Sequence, residues 1–487
     1  MSISDDEFKA WLRDDNQVRA LLVESTCHNG TTTQLNYISN AVYASFPTDT
    51  VPNLQYDDLL YSFPRFKMSM PEAFGGQSQP SVGELQIDNS GGERDEWLDF
   101  AWNGWPTNIF IGSPSWSRDD FRQTLSNINV NFQSSGKLLI LKLRDKQEML
   151  NKELQTTLYT SGVLSGNPKP LCYGLVYFAE PMLTNSATHE YQLHDGAIED
   201  ILQVYEDCYP IPFTKDLTNG KFTLTNNPQG RVTCDVKGAK VGGVWLTKIA
   251  DIVKDIITKA GLVSGDIDAT SLSDFNTLCP ETIGFYANSR MNCIEALDEI
   301  VKSVNGYWGF SRNGLFQLGR LNVISGTAVM ELVEDDIQDR SLELEKVVEP
   351  VSGIRLGYKR YWSPAEYMAG AVTETDRADF PQAYRVVTAP GAGVTAQWPL
   401  ATQPALIPTL LADASEAQDE CDRRLTLFGV ARKIFRLTAF SAPQQIQLGD
   451  EIKIYYPRYG LDSGVNAIVI SIEESPTSNK INLRVWL

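Results

Sequence analysis

Five Asn-Gly dipeptides, beginning at Asn29, Asn103, Asn219, Asn305 and Asn313, punctuate the chain, together with Asp195-Gly196. Such pairs accept the positive φ angles that tight hairpin turns require, so a chain that carries them between apolar runs is committed to antiparallel β structure. The clearest hairpin runs out through Tyr307–Phe310, turns at Asn313-Gly314 and returns through Leu315, Phe316 and Leu318. The last forty residues repeat the pattern. Ile452, Ile454 and Tyr456 alternate on one strand, Ile468, Ile470 and Ile472 on a second, and Ile481, Leu483, Val485 and Leu487 on a third. Period two buries one face of each strand, and because the alternation runs into Trp486-Leu487 the final element is expected to lie in a sheet.

Helices are few and each carries its own signal. After Gly243, the stripe Ile249, Ile252, Val253, Ile256 and Ala260 predicts a helix ending at Gly261. A second is predicted from about Arg290, with Ile294, Leu297, Ile300, Val301 and Val304 inward and Asn305-Gly306 as its end. A third begins at Asp413 with Glu416 reaching back as a capping box, lined by Ala417, Cys421, Leu425 and Phe428. A short helix with Phe8, Trp11 and Leu12 is expected near Asp6–Leu12. At about 150 residues per domain, 487 residues imply about three domains. Gly162–Pro170 and Val236–Gly243 read as linkers, and Thr388–Pro408 as a long excursion. There is no tandem repeat or low-complexity tract. The expected fold class is mainly β and multidomain, built of small β-barrels or sandwiches with an inserted α+β segment at about 241–350.

Charge and side-chain chemistry exclude more than they assign. With 42 Lys plus Arg against 61 Asp plus Glu, the chain carries a formal charge of −19, and phosphate recognition through displaced counterions is disfavoured. Met1–Phe8 holds Asp5, Asp6 and Glu7 where a secretory signal would be basic and then apolar, so no export signal is expected. The longest aliphatic run, Leu138–Leu141, is far below the roughly 18 residues of a membrane helix, so stable membrane insertion is not expected. The seven cysteines (Cys27, Cys172, Cys208, Cys234, Cys279, Cys293, Cys421) include no C-x-x-C pair, which fits a reducing compartment and no zinc or iron-sulfur site.

His28, His189 and His194 are the only histidines. His189 and His194 lie five apart on a strand-like segment, which would point them to opposite faces as ordinary surface or turn residues. No nucleophile elbow, phosphate-binding Walker loop or zinc-protease helix motif occurs. Glu93, Asp95, Glu96 and Asp99, amid Trp97, Trp102, Trp105 and Trp116, form the best enzymatic candidate, because a glycosidase sets two acids about a sugar. The competing reading takes the same stretch as strand, Asn-Gly turn and strand, with tryptophans packing the sheet. Glu334, Asp335 and Asp336 read as a solvated turn or helix start. No catalytic, cofactor-binding or metal-ligating residue is assigned, and no cofactor is implied.

Several phrases, taken in order, resemble the central hub proteins of long-tailed bacteriophages, the family related to contractile-phage baseplate hubs and to tail-tip proteins. Gly104-Trp105-Pro106 to Gly112, Ser117–Phe121, and Gly136-Lys137-Leu138 to Asp145 resemble the first hub barrel and its lead-out strand. Gly166-Asn167-Pro168-Lys169-Pro170-Leu171-Cys172-Tyr173-Gly174 is similar to the family's linker, and Tyr191–Gly196, Val204-Tyr205 and Phe222–Leu224 continue the likeness. Ala414–Arg424, Leu448–Ile452 and Tyr456–Leu461 resemble the family's helix and closing strands.

The resemblance implies tube-like β-barrels, two per chain, in a homotrimer whose pseudo-six-fold ring joins a hexameric tail tube to a three-fold tip. It also implies a division into 1–80 (N-terminal arm and start of the first β domain), 81–162 (first hub β-barrel), 163–240 (β-rich second domain), 241–350 (α+β domain) and 351–487 (C-terminal β-barrel with one helix). The implied partners are a distal tail or tube-end protein, the tape measure protein, lower tip or fibre proteins, and DNA in transient non-specific passage. The implied place is the virion tail tip, after assembly in the host bacterial cytoplasm. An acidic wall suits such a conduit, because repulsion of phosphate favours release. Trp102, Trp105, Tyr455 and Trp486 are aromatics of the kind enriched at interfaces. The alternatives are a receptor- or carbohydrate-binding tail protein using the Trp97–Trp116 region, and a glycan hydrolase using acids from Glu93 to Asp120.

Overall fold

The computed structural model describes residues 3–14, 16–71, 75–80, 83–403, 405–440, 446–475, 478 and 480–487. Pro404, inside the expected excursion, lies outside them. The fold is mainly β and built of several sheets. The N-terminal region supplies α1 (Asp5–Arg13), β1 (Ala20–His28), β2 (Thr33–Ser39), β3 (Gln55–Asp58), β4 (Leu60–Ser62), β5 (Phe66–Ser69), β6 (Gln79–Pro80), β7 (Gly83–Asp88), β8 (Pro106–Gly112), β9 (Arg122–Ser135) and β10 (Leu138–Arg144).

Eight of these strands make one sheet in the order β3-β2-β1-β8-β9-β10-β7-β4, with the two-residue strand Tyr43–Ala44 beyond β3. β3 runs parallel to β2 near one end, and β4 runs antiparallel to β7 at the other. Only Leu59 separates β3 from β4. Its N–H donates to Ser39 O (3.1 Å) on one side, and its carbonyl accepts from Asp88 N (2.7 Å) on the other. The chain itself therefore brings the two ends together and rolls the sheet into a tube. No ladder closes the ring among the described residues, so the expected barrel is corrected to an open sheet joined through one residue. The strand breaks there because the Leu59 N–H also turns back to Asp57 O (2.9 Å).

The middle of the chain holds β11 (Leu171–Ala179), β12 (Ile198–Glu206), β13 (Val232–Val241), α2 (Ile249–Lys259), α3 (Ala269–Leu278), β14 (Gly284–Ala287), α4 (Cys293–Lys302), β15 (Gly306–Phe310) and β16 (Phe316–Arg320). The expected linker at Val236–Gly243 is corrected: most of it is the second half of β13, paired with β12 (Ile198↔Ala239, Ile201↔Val236). α2 and α4 form as predicted, and Ile252, Val253, Ile256, Leu297, Ile300 and Val301 pack with Phe285 and Trp308 in one core. α3 was not predicted. Its sequence, ATSLSDFNTL, has only Leu272 and Phe275 buried, too few to mark a stripe, and Asp268 caps it by accepting from Ser271 N (3.0 Å).

The last part supplies β17 (Met330–Leu332), β18 (Glu343–Val348), α5 (Ala414–Phe428), β19 (Arg432–Phe440), β20 (Glu451–Tyr456), β21 (Leu461–Glu474) and β22 (Lys480–Trp486). Their order is β17-β20-β21-β22-β19-β18. Asp413 caps α5 by accepting from Ser415 N (2.8 Å) and Glu416 N (3.2 Å). The capping box is corrected, because the Glu416 carboxylate accepts instead from Thr282 N (2.8 Å) and ties α5 to the middle core. β21 also differs from expectation. Ala467–Ile472 is buried at every position, since Ile468 and Ile470 on the second face pack against Met70, Tyr307, Leu427 and Leu448, while β5 crosses over to pair along the edge at Ser471–Glu474.

Candidate functional site

The residues singled out for chemistry do not come together as a site. Asp95–Asp99 is a turn of 3-10 helix, where a strand was expected. It sends Trp97 inward and leaves Glu93, Asp95, Glu96 and Asp99 exposed. Trp97 and Trp102 are buried, Trp102 Nε1 donates to Trp97 O (2.8 Å), and Trp102 stacks on Phe132 at 4.6 Å. Rings fixed this way offer no face to a sugar. Trp116 is held by Trp11 (4.7 Å) and Phe8 (6.0 Å) from α1. The interface reading of Trp102 and Trp486 is corrected: Trp486 is fully buried in the C-terminal sheet.

His194 is a core residue, not a surface one. Its Nδ1 accepts from Cys172 N (3.0 Å), and burial pushes its pKa down to about 4, so the ring is neutral. His189 sits apart at a positive-φ turn. All seven cysteines are buried free thiols, and burial raises those of Cys293 and Cys279 to about 11 and about 12. Among the described residues no group of His, Cys, Asp and Glu could hold a metal ion, and no helix is long and apolar enough to cross a membrane. A hollow of about 530 Å³ on the C-terminal sheet is lined by Lys67, Glu343, Glu345, Arg436, Glu473 and Arg484. Its acids are neutralised by Arg: Glu345 takes Arg484 at 2.5 Å, and Glu343 takes Arg436.

What the fold does bring together is a repeated unit. β8, β9 and β10 form a short–long–short meander, as do β20, β21 and β22, and both long strands have fourteen residues. In each, one residue of the long strand pairs with both neighbours: Ile128 with Pro106 and Arg144, and Ile468 with Glu451 and Trp486. A bulge follows at once, between Asn129 and Asn131 in one and between Val469 and Ser471 in the other. The entry turns match as well. Gly104 (φ +82°) donates to Asn129 O and Gly449 (φ +91°) to Val469 O, both at 2.8 Å.

Beyond the meander the agreement continues. β7 pairs with β10 (Leu139↔Ile87) as β19 pairs with β22 (Ile481↔Ala439). The residue opposite Ile87 is Leu60, and the residue opposite Ala439 is Ile337. Both closing segments start parallel to one end of their sheet and finish antiparallel along the other. Inward positions agree in kind, with Leu60, Leu85, Ile109, Leu139, Leu141 and Leu143 in one core and Ile337, Leu437, Ile454, Ile481, Leu483 and Val485 in the other. The chain therefore holds two tubes of one design, in one element order. Tube one adds the β1–β2 hairpin and a polar trio: Ser25 Oγ lies 2.6 Å from Thr107 Oγ1, which donates to Asn129 Oδ1 (2.6 Å). Tube two has Ile452 and Val469 at the Thr107 and Asn129 positions.

No protein-family model matches the chain, and no curated protein matches it. Among solved structures, the chain is similar to a tail protein from Neisseria meningitidis (8% identity over 96% of each chain, TM-score 0.39). It is similar to a chain in the virion of a native gene transfer agent particle (14% identity, 68% of this chain and 86% of that one, TM-score 0.43). It is also similar to a prophage tail protein from Listeria monocytogenes (8% identity, 96% of this chain and 94% of that one, TM-score 0.43).

Proposed function

We propose that this chain is the central hub of a phage tail tip, a structural protein of which three copies close a ring of six alternating tubes. The observation that carries the reading is the residue-by-residue match of the two tubes. A chain with two like units, repeated three times, presents six near-equivalent units around one axis, and so adapts a six-fold tube to a three-fold tip. The ordered hub-like phrases in the sequence support the same reading, since Gly104–Gly112 and Leu448–Ile452 fall in the matched turns and strands.

The ring surrounds the channel for ejected DNA, and the net charge of −19 suits a wall that lets phosphate pass. Tube one comprises 20–62 and 83–144, and tube two 330–348 and 432–487, with the β-rich 163–240 and the α+β 241–329 segments between them and the 349–431 insertion within tube two. The distal tail or tube-end protein contacts one face of the ring, and the tape measure and lower tip or fibre proteins are the further partners. Its place is the virion tail tip, after assembly in the bacterial cytoplasm. Burial of Trp97 and Trp102 weighs against a glycan-binding role, and the exposure of Glu93, Asp95, Glu96 and Asp99 on one surface turn weighs against hydrolysis, which sets two acids about a bound sugar. Native mass spectrometry tests the proposal: three times the 54.2 kDa chain mass is expected, and a monomer at every concentration contradicts it.

A further inference from the structure

Between β4 and β7 the chain leaves tube one, and β5 lies antiparallel along the second half of β21 in tube two (Phe66↔Glu474, Lys67↔Glu473, Met68↔Ile472, Ser69↔Ser471). Its other edge pairs with β6, Met68 opposite Pro80. Met68 and Met70 are buried there with Ile434, Ile468, Ile470 and Trp486. The two tubes are thus stitched within the chain by a strand that one lends to the other.

The match between the tubes supplies the counterpart of each half of this joint. β18 follows the closing segment of tube two as β5 follows that of tube one, and Val348 pairs with Arg432 at the start of β19 where Met68 pairs with Pro80. β18 pairs with β19 on one edge only, and among the described residues no strand takes the other. Glu343–Val347 is exposed at every position, with Leu344 at 37% and Val347 at 44%. An edge strand exposed along its length, with one edge unpaired, is a template for another chain. The counterpart of Ser471–Glu474, counted from the shared bulge, is Asn131–Ser134 of β9. Its edge away from β10 has no strand partner among the described residues.

We infer that β18 of one copy pairs antiparallel with the free edge of β9 in the next copy, a joint between chains that repeats the β5–β21 joint within one. The inference rests on the ring reading, since the step from tube one to tube two, taken again, reaches the tube one of a neighbour. The register follows from the match: Lys346 opposite Ser134, Val347 opposite Gln133, Val348 opposite Phe132 and Glu349 opposite Asn131. The ladder is one bond shorter than its model, because Pro350 stands where Met70 N donates to Ile470 O (2.9 Å), and proline has no N–H.

A double variant, Gln133→Cys with Val347→Cys, tests the pairing in the full chain. The native thiols are buried, so the new pair holds the accessible ones, and directly opposed strand residues fall within disulfide reach. After mild oxidation, denaturing gels should show two- and three-chain species for the double variant and single chains for each single variant. Native mass spectrometry of the reduced sample separates the two levels: a three-chain mass without cross-linking overturns the strand pairing and leaves the ring, whereas a monomer throughout overturns both. As a second measurement, Val347→Glu with Gln133→Glu opposes like charges, while Val347→Lys with Gln133→Glu opposes unlike ones. The first should need about ten-fold more protein for half-assembly. Equal midpoints overturn the inference.

Discussion

Glu420 is the strongest single test of how α5 is held. Its side chain is fully buried, and it accepts from Arg423 Nε (2.7 Å) and Nη2 (2.9 Å) and from Arg424 Nε (2.6 Å). The same guanidiniums reach the end of α4: Arg423 Nη2 donates to Val304 O (3.0 Å), and Arg424 Nη2 to Lys302 O (3.1 Å) and Ser303 O (2.9 Å). One carboxylate therefore neutralises two cations that bind the insertion to the middle core. Glu420→Leu leaves Arg424, 5% exposed, as an uncompensated buried charge, a loss of about 3–5 kcal/mol. At roughly 2–4 °C per kcal/mol for a unit of this size, the melting transition should fall by about 6–20 °C in calorimetry at pH 7. Glu420→Leu with Arg424→Met should lose less than Glu420→Leu alone, because the orphaned charge goes with it. Burial works against the carboxylate, but Arg424 and Arg423 outweigh it and hold its pKa below the ordinary 4.5. Its contribution is therefore complete above pH 4.5 and is lost as pH falls through the lowered value, so the gap between native and variant should narrow only in acid. A single variant within 1 kcal/mol of native, or a double variant losing the sum of both singles, refutes the reasoning.

Two further outcomes follow from the geometry. His194 is neutral in the fold with a pKa near 4 against an ordinary 6.5, so the unfolded chain takes up the proton first and stability is lost as pH falls from 6.5 towards 4. The loss should be about 3 kcal/mol in urea titrations, and His194→Gln should flatten that part of the profile. The matched turns should respond unequally to alanine. Both carry positive φ and incur roughly 1–2 kcal/mol of strain. Gly449→Ala also puts a Cβ 2.7 Å from the Tyr307 hydroxyl, which donates to Leu448 O, whereas Gly104→Ala meets nothing within 4 Å. Chemical denaturation should rank Gly449→Ala as the costlier, and the reverse order contradicts the placement of Tyr307.

Periodicity made the strands of the C-terminal sheet, the Tyr307–Leu318 hairpin and α2, α4 and α5 readable from the chain, because each shows its own face and its own stop. The duplication was not readable. The two tubes share only a glycine at the turn and aliphatic residues at alternate positions, and Thr107 and Asn129 replace even those where Ile452 and Val469 stand in the partner tube. A one-residue closure at Leu59 leaves no composition signal, and neither does the crossing of β5, since both are long-range pairings. Trp102 and Trp486 were misplaced for a related reason: a strand pattern gives two faces, and only the neighbouring element decides which one is covered. His194 was misread because its partner, the Cys172 amide, lies on another strand.

Electron microscopy of the purified chain, with particle averages computed without imposed symmetry, tests the central claim most directly. A ring of six lobes is expected that repeats every 120° and only approximately every 60°, because tube one carries the extra β1–β2 hairpin and tube two the 349–431 insertion. Six lobes equivalent at 60° would mean one tube per repeat, and a three-lobed ring would mean that the second tube lies off the ring; either result contradicts the account.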